Sequence, residues 1–367
     1  MGSLPIPLSA LFRALGADPV VPPPADASTL AEGTRLAPEL MCMPFKLTLG
    51  NVKRALEMGA DTIVYSTGVW SCRYGCYPRL AENILSELGH RIEVVTLSPR
   101  DIRRVLGRLL RLSEANPARA AVRTAQAIRI AWLKSSAIEE IERSSHRLRP
   151  LEQHAGDTTR TVRRFLHLID ATDSPAAVVR LSREARAAFA AIRVDDARRP
   201  LRIKIVGESY CVLEPFINQN VLERLGGMGV WVDPFLTTHH WLGFHGLRIG
   251  NRARQDLLKP ARHYWSYNVG GEDENAVAYT LEAARNGYDG VLHLHPFGCM
   301  SGTVVGPTLR RVSQDHDIPL LDISLDEHTG KSGFYTRVEA FLSVLEKRRL
   351  RSQRGLLSQA ESSSTSG

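Results

Sequence analysis

Five cysteines, at 42, 72, 76, 211 and 299, supply the most reactive chemistry in this chain. Cys299 follows the apolar run Val291-Leu292-His293-Leu294 and a Pro-Phe-Gly turn, and Ser301-Gly302-Thr303 after it opens a helix pattern. A thiol at that junction lies where open α/β sheets bind ligands, and the helix dipole there favours thiolate over thiol. Cys72 stands in the loop GVWSCRYGC after the strand pattern DTIVYS, and Cys211 in the loop GESYC after the strand pattern Arg202 to Val206. Cys42 lies just before Pro44, in a segment that proline keeps out of the helix that follows. If the two halves of the chain face one another, these thiols meet in a shared crevice. Soft thiolates select zinc or iron–sulfur clusters over hard cations. Cys72 and Cys76 lack the CxxC spacing of zinc ribbons, so the local motif does not choose between the two.

Other groups could work beside such a centre, each with a plainer reading. His293 and His295 are two apart on one strand and share a face, which suits a core position or a role next to the metal. Glu208 leaves a strand end beside Tyr210 and suits an acid or base, or a helix cap. Asp326-Glu327-His328-Thr329 suits the same site, but Asp and Thr there also suit capping. His239-His240 falls in a loop and carries less. Gly270-Gly271-Glu272-Asp273-Glu274 precedes a helix, and its three acids would repel a phosphate that the dipole would otherwise attract.

The elements that must position these residues alternate as strand, loop and helix over 8–98 and again over 201–348. That rhythm predicts an α/β protein with two Rossmann-like or flavodoxin-like parallel-sheet domains. The expected division is 1–99, an N-terminal α/β domain; 100–200, an Ala-, Arg- and Leu-rich helical insertion; 201–348, a C-terminal α/β domain. The tail 349–367, ending SQAESSSTSG, is polar and simple enough to be disordered. Within the first block, Asp18 to Val21 reads as a strand and Leu47 to Met58 as a helix. In the second, Pro215 to Leu225 reads as a helix.

The chain has 367 residues, 43% of them hydrophobic and 23% charged, as in globular proteins with sizeable cores. No apolar run long enough to span a membrane and no signal-peptide pattern is present, so the expected location is cytoplasmic. An odd number of scattered cysteines makes a poor disulfide framework and fits a reducing compartment. The net charge of +8 would suit nucleic acid, but eleven Lys and Arg residues fall between Arg103 and Arg149, where amphipathic helices would simply present them to water. No GxxxxGK[ST] loop occurs, so P-loop ATP hydrolysis by this chain is not expected.

The segments CMPFKLTLGNVKRALEMGADTIV, CRYGCYPRLAENIL, GESYCVLEPFINQN, NGYDGVLHLHPFGCM and DEHTGKSGFYTRVEAFL resemble the 2-hydroxyacyl-CoA dehydratase and benzoyl-CoA reductase superfamily. The resemblance is to dehydratase-component-like proteins encoded with, or fused to, an ATP-dependent activase. It covers about 8–98 and 201–345, and PFGC followed by DEHT is its most specific piece. It implies a [4Fe–4S] cluster held by three thiolates, those of Cys42, Cys72 and Cys299, with the fourth iron open to a substrate oxygen, a water or another ligand. Cys76 stands where this branch more often has an aromatic residue, and is a private fourth ligand or a bystander. Cys211 stands where an aliphatic is usual and reads as core. Glu208 and His295 become the candidates for proton transfer beside the cluster.

The function implied is radical dehydration or reduction of an acyl-CoA or similar small molecule, driven by low-potential electrons from an ATP-hydrolysing activase, in a homo- or heterodimer. The competing reading is a non-catalytic electron-transfer or maturation subunit. A zinc-stabilised module that binds nucleic acid through its basic helices is the weakest of the three.

Overall fold

The computed structural model describes residues 1–66, 72–97, 107, 110, 116–243 and 251–364. The first part comprises helices α1 (Pro5–Leu15), α2 (Ala27–Leu36) and α3 (Met43–Glu57), strand β1 (Thr62–Ser66), helix α4 (Tyr77–Glu87) and strand β2 (Glu93–Leu97). β1 and β2 run parallel, with Thr62 opposite Glu93 and Ser66 opposite Leu97. Among the described residues this sheet has two strands, fewer than a Rossmann-like domain needs. The strand expected at Asp18 to Val21 is absent, and the chain there is irregular. Pro19 and Pro22-Pro23-Pro24 explain this, because proline removes the amide donors that a ladder requires.

α3 ties the halves together, and its sequence shows how. Met43 and Leu47, one turn apart, enter the large core around the second sheet. Phe45, Leu49 and Val52, on another face, pack with Ile63, Tyr65 and Tyr77 of the first part. The expected start at Leu47 was four residues late: Cys42 caps this helix and Pro44 lies in its first turn, where proline is tolerated. α2 crosses α3 so closely that a Cβ on Gly33 would lie 1.7 Å from the carbonyl oxygen of Lys46. Only glycine permits that approach.

The middle is helical, as expected: α5 (Pro117–Leu148), α6 (Asp157–Asp170) and α7 (Pro175–Ala190) share a core of Ile138, Ile141, Phe165, Ile169 and Phe189. Ala10 of α1 joins that core, so the first helix packs with the helical region, across the domain boundary expected at residue 99. Near the end of α5 the Nδ1 of His146 is sealed from solvent without a hydrogen-bond partner. Burial, with Arg149 nearby, pushes this imidazole down to about 3. The folded pKa lies below the unfolded one, so the neutral ring contributes stability above pH about 6.5 that is lost as pH falls toward 3. Stability measured by urea unfolding should therefore drop by about 2 kcal/mol from this residue between pH 7 and pH 5. His146→Leu should flatten that part of the profile; an unchanged slope would refute the assignment.

The last part contains β3 (Leu201–Gly207), α8 (Ser209–Leu213), α9 (Val221–Gly227), β4 (Val230–Pro234), α10 (Thr238–Trp241), α11 (Asn251–Ala261), α12 (Asp273–Arg285), β5 (Gly290–Pro296), α13 (Met300–Asp315), β6 (Leu320–Leu325) and α14 (Lys331–Ser364). Its strands are all parallel, in the order β4-β3-β5-β6. Chain order therefore reverses between β3 and β5, and open α/β sheets bind ligands outside the carboxyl ends at such a point. β5 is buried along its whole length, as a central parallel strand should be. Of the helix expected over 215–225, residues 221–225 form, as part of α9, while 215–220 make a turn in which Gln219 and Asn220 adopt positive φ. Residues from Arg349 onward, expected to be disordered, continue α14 to Ser364.

Candidate metal centre

The reversal between β3 and β5 brings Glu208 and Cys299 to the same edge of the second sheet. Gly207 ends β3 at φ +141°, and a Cβ there would sit 1.9 Å from the carbonyl oxygen of Leu294 on β5. The next amide, Glu208 N, donates to that same oxygen at 2.9 Å. Five residues beyond the oxygen's own residue, after β5 has given way to the PFGC turn, Cys299 caps α13. Its sulfur accepts from Gly302 N at 3.4 Å and lies 3.4 Å from Ser301 Oγ.

Two more cysteines arrive from the first part. Cys42 caps α3, is buried, and shares a short hydrogen bond with the Tyr77 hydroxyl of α4. Cys72 opens the 3-10 turn Arg73–Cys76 and is partly buried. Arg73 draws these loops together: one guanidinium nitrogen donates to Leu40 O at 2.9 Å and the other to Gly298 O at 3.2 Å. The residue after Cys72 thus grips the loops that carry Cys42 and Cys299. The thiols are near enough to affect each other electrostatically, Cys72 responding to Cys299 and Cys42, and Cys299 to Cys42.

Burial pushes the Cys72 thiol up to about 12 and raises Cys42 and Cys299 as well. The carboxylate of Glu208 bears on all three. Without a counter-cation these groups are thiols; a bound metal would deprotonate them outright. Glu208 itself is pushed up to about 7, first by burial and further by Glu272, while its side chain caps α8 through Cys211 N at 2.9 Å. Cys211 lies in the core with its sulfur sealed, and Cys76 is exposed at the outer end of its turn.

A cavity of about 320 Å³ opens beside this constellation, between Leu40, Lys46, Arg73, Phe297, Glu327 and His328. Lys46, buried on α3 one turn from Cys42, forms an ion pair with Glu327. Asp326 and Thr329 lock the loop by mutual hydrogen bonds, so these two residues act as caps. At the start of α12, Glu272 is held by Ser209 and Asn275, and Asp273 by Trp265 and the Val269 amide. The protein's own carboxylates thus fill that helix N-terminus. His293 and His295 share a face of β5, as expected, but their nitrogens engage Asp322 of β6 and the Pro296 carbonyl. His239 bonds Ser135 in the helical region, and Gly68 to Ser71 lie outside the described residues.

The family model described as "CoA enzyme activase uncharacterised domain" matches residues 6–235. The chain belongs to that family. A comparison with curated proteins finds no match. The CoA enzyme activase domain as matched spans Cys42, Cys72, Cys76, Glu208 and Cys211, and stops short of His295 and Cys299. The family segment thus carries Cys42 and Cys72, and the turn after β5, beyond it, carries Cys299. Its name links the chain to CoA enzyme activase systems. Among the described residues no helix is long and apolar enough to cross a membrane.

Sequence reasoning missed Arg73, Tyr77 and Lys46. Each lies within five residues of a candidate cysteine, and that proximity was the available signal. Arg73→Ala should cost about 1–2 kcal/mol, since a charged donor loses two carbonyl partners at an exposed site. Hydrogen exchange should quicken in the loops at Leu40 and Gly298, and Arg73→Lys should not restore protection because ammonium lacks the two-pronged reach. Unchanged exchange in both loops would show that the guanidinium does not hold them.

Proposed function

We propose that Cys42, Cys72 and Cys299 would hold a [4Fe–4S] cluster near the cavity lined by Lys46, Arg73 and Phe297, with one iron left without a thiolate. The observation that carries this reading is that Arg73, the residue after Cys72, donates both to Leu40 O, close before Cys42, and to Gly298 O, next to Cys299 and more than two hundred residues further along the chain. The donor set fits: three sulfurs, each at the start of a helix or turn, with the Gly302 amide and Tyr77 hydroxyl placed to bond sulfur. When bound, such a cluster supplies one-electron chemistry at low potential.

The chain's own residues supply the rest. Arg73 places positive charge at the cavity, where Glu327 already balances Lys46, and suits an anionic or carbonyl-bearing substrate, in keeping with an acyl-CoA or similar small molecule. Phe297 and Leu40, both largely exposed, give the mouth of that cavity apolar surface. Glu208, poised near neutrality, holds or releases a proton at its carboxylate beside the sulfurs. The electrons come from an ATP-hydrolysing activase partner, a role supported by the family's name, and the reaction is a radical dehydration or a reduction.

The second reading, an electron-transfer or maturation subunit, calls for a closed coordination shell. Cys76 would have to complete it, and its exposed side chain supports the open site instead. The test is to load the chain anaerobically and mix it with an ATP-hydrolysing activase and ATP. ATP-dependent electron uptake is expected, and its absence with a competent activase would count against the reading. Glu208→Gln should keep its iron and its electron uptake while substrate turnover falls by about 10²–10⁴-fold. Full turnover by this variant would remove Glu208 from the mechanism.

A further inference from the structure

A second constellation lies apart from the sulfurs, in the middle of the last sheet. His293 and His295 of β5 and Asp322 of β6 offer three ligand atoms that all lie within 4.8 Å of one another. The strand register places Asp322 directly opposite His293, and strand alternation keeps His295 on that same face. Both histidines are buried, His293 at 1% and His295 at 7% exposure, whereas the Asp322 side chain keeps 25%. On α13, Gly302 and Gly306 lie one turn apart against this face. A Cβ on Gly302 would come within 2.6 Å of His295, and one on Gly306 within 3.4 Å of Asp322 Oδ2.

The hydrogen-bond arithmetic calls for positive charge here, either a metal ion or a second proton on the His295 ring. His295 Nδ1 is 3.1 Å from the Pro296 carbonyl, which can only accept, so Nδ1 carries the hydrogen. In a neutral ring Nε2 then presents a lone pair, yet it faces the Asp322 carboxylate oxygen, another acceptor, at 3.2 Å. The same Oδ1 lies 2.8 Å from His293 Nδ1. Two acceptors face to face in a buried strand are costly unless something positive lies between them.

We infer that His293, His295 and Asp322 bind a divalent first-row cation, Zn²⁺ by preference. Two imidazoles and one carboxylate make a three-ligand zinc set that leaves a fourth position for water. Tetrahedral Zn–N and Zn–O bonds of about 2.0–2.1 Å place ligand atoms about 3.3 Å apart; the Asp322 Oδ1 lies 2.8 Å from His293 Nδ1 and 3.2 Å from His295 Nε2, and all three atoms lie within 4.8 Å. The Nδ1–H of His295 bound to a backbone carbonyl is the outer contact that orients a metal-bound imidazole. Arg310, 3.7 Å from Asp322 Oδ2, holds the carboxylate's other oxygen and leaves Oδ1 to the metal.

The experiment is elemental analysis and zinc-edge X-ray absorption on the full chain, expressed with zinc and desalted. About one zinc per chain is expected, in a shell of N and O at about 2.0–2.1 Å without sulfur at 2.3 Å. His295→Gln and Asp322→Asn should each lose it, and Cys42→Ser/Cys299→Ser should retain it. The wild-type spectrum alone decides the matter if a variant fails to fold. Sulfur in the shell, or zinc retained by both His295→Gln and Asp322→Asn, would overturn the assignment. So would zinc-free protein whose His295 ring proves doubly protonated by nitrogen NMR, since a proton then supplies the charge.

Discussion

Cys299→Ser should strip the protein of most of its iron while leaving it folded. The hydroxyl replaces the sulfur that caps α13, and a serine at that position still accepts from the Gly302 amide, so the helix start survives. What is lost is a soft ligand. Removing even an outer-shell partner of a metal costs about 10–100-fold in affinity, and a direct ligand should cost at least that. Cys42→Ser and Cys72→Ser should behave alike, because the three sulfurs act as one set. Cys76→Ser should keep full iron, its side chain being exposed. Cys211→Ala should keep iron too, losing about 1 kcal/mol of stability as a buried sulfur is removed from the core. Iron and sulfide analysis beside circular dichroism separates these outcomes. Equal iron in the Cys299→Ser and Cys76→Ser proteins would remove Cys299 from the site.

Gly207→Val should be the most damaging single change to the scaffold. The site depends on β3 and β5 lying so close that Glu208 N reaches Leu294 O. A Cβ at residue 207 would fall 1.9 Å from that same oxygen, at a backbone φ of +141° that side chains rarely adopt. Either the strands part or the turn unwinds. Backbone strain alone is worth about 1–3 kcal/mol, and the clash with an immobile carbonyl adds to it, so a loss of about 4 kcal/mol or more is expected. The urea midpoint of Gly207→Val against wild type measures this. Gly227→Ala is the control, because nothing lies within 4 Å of a Cβ there. If both variants unfold alike, the close approach at residue 207 has no energetic weight.

The features most legible in the sequence were those with a local physical signature. The helices of the middle region and the strands DTIVYS and VLHLH were visible because apolar periodicity is a local property. The short helix at Ser209 was hidden, since its cap, Glu208, looked equally like a catalytic group. The structure gives that carboxyl both the capping contact and a place beside the sulfurs. Asp18 to Val21 misled because two valines outweighed the prolines around them. Arg349 to Ser364 misled in the opposite sense: a composition poor in apolar residues continues a helix that has already been nucleated.

The approach of the loops that carry Cys42, Cys72 and Cys299 is a tertiary fact, and no spacing within the chain encodes it. It depends on α3 presenting Met43 and Leu47 to one core and Phe45 and Leu49 to another. It depends also on Arg73 bridging two loops. The histidines of β5 were visible as a same-face pair, but Asp322 was not, because register across a parallel sheet cannot be read from one strand.

The account rests on a cluster held by thiols that the fold gathers from both ends of the chain. Its most direct test is iron and acid-labile sulfide measured per chain after purification with oxygen excluded. About four of each, with a brown protein that bleaches in air, is the predicted result. Colourless, iron-free protein prepared and reconstituted under the same anaerobic conditions would contradict it.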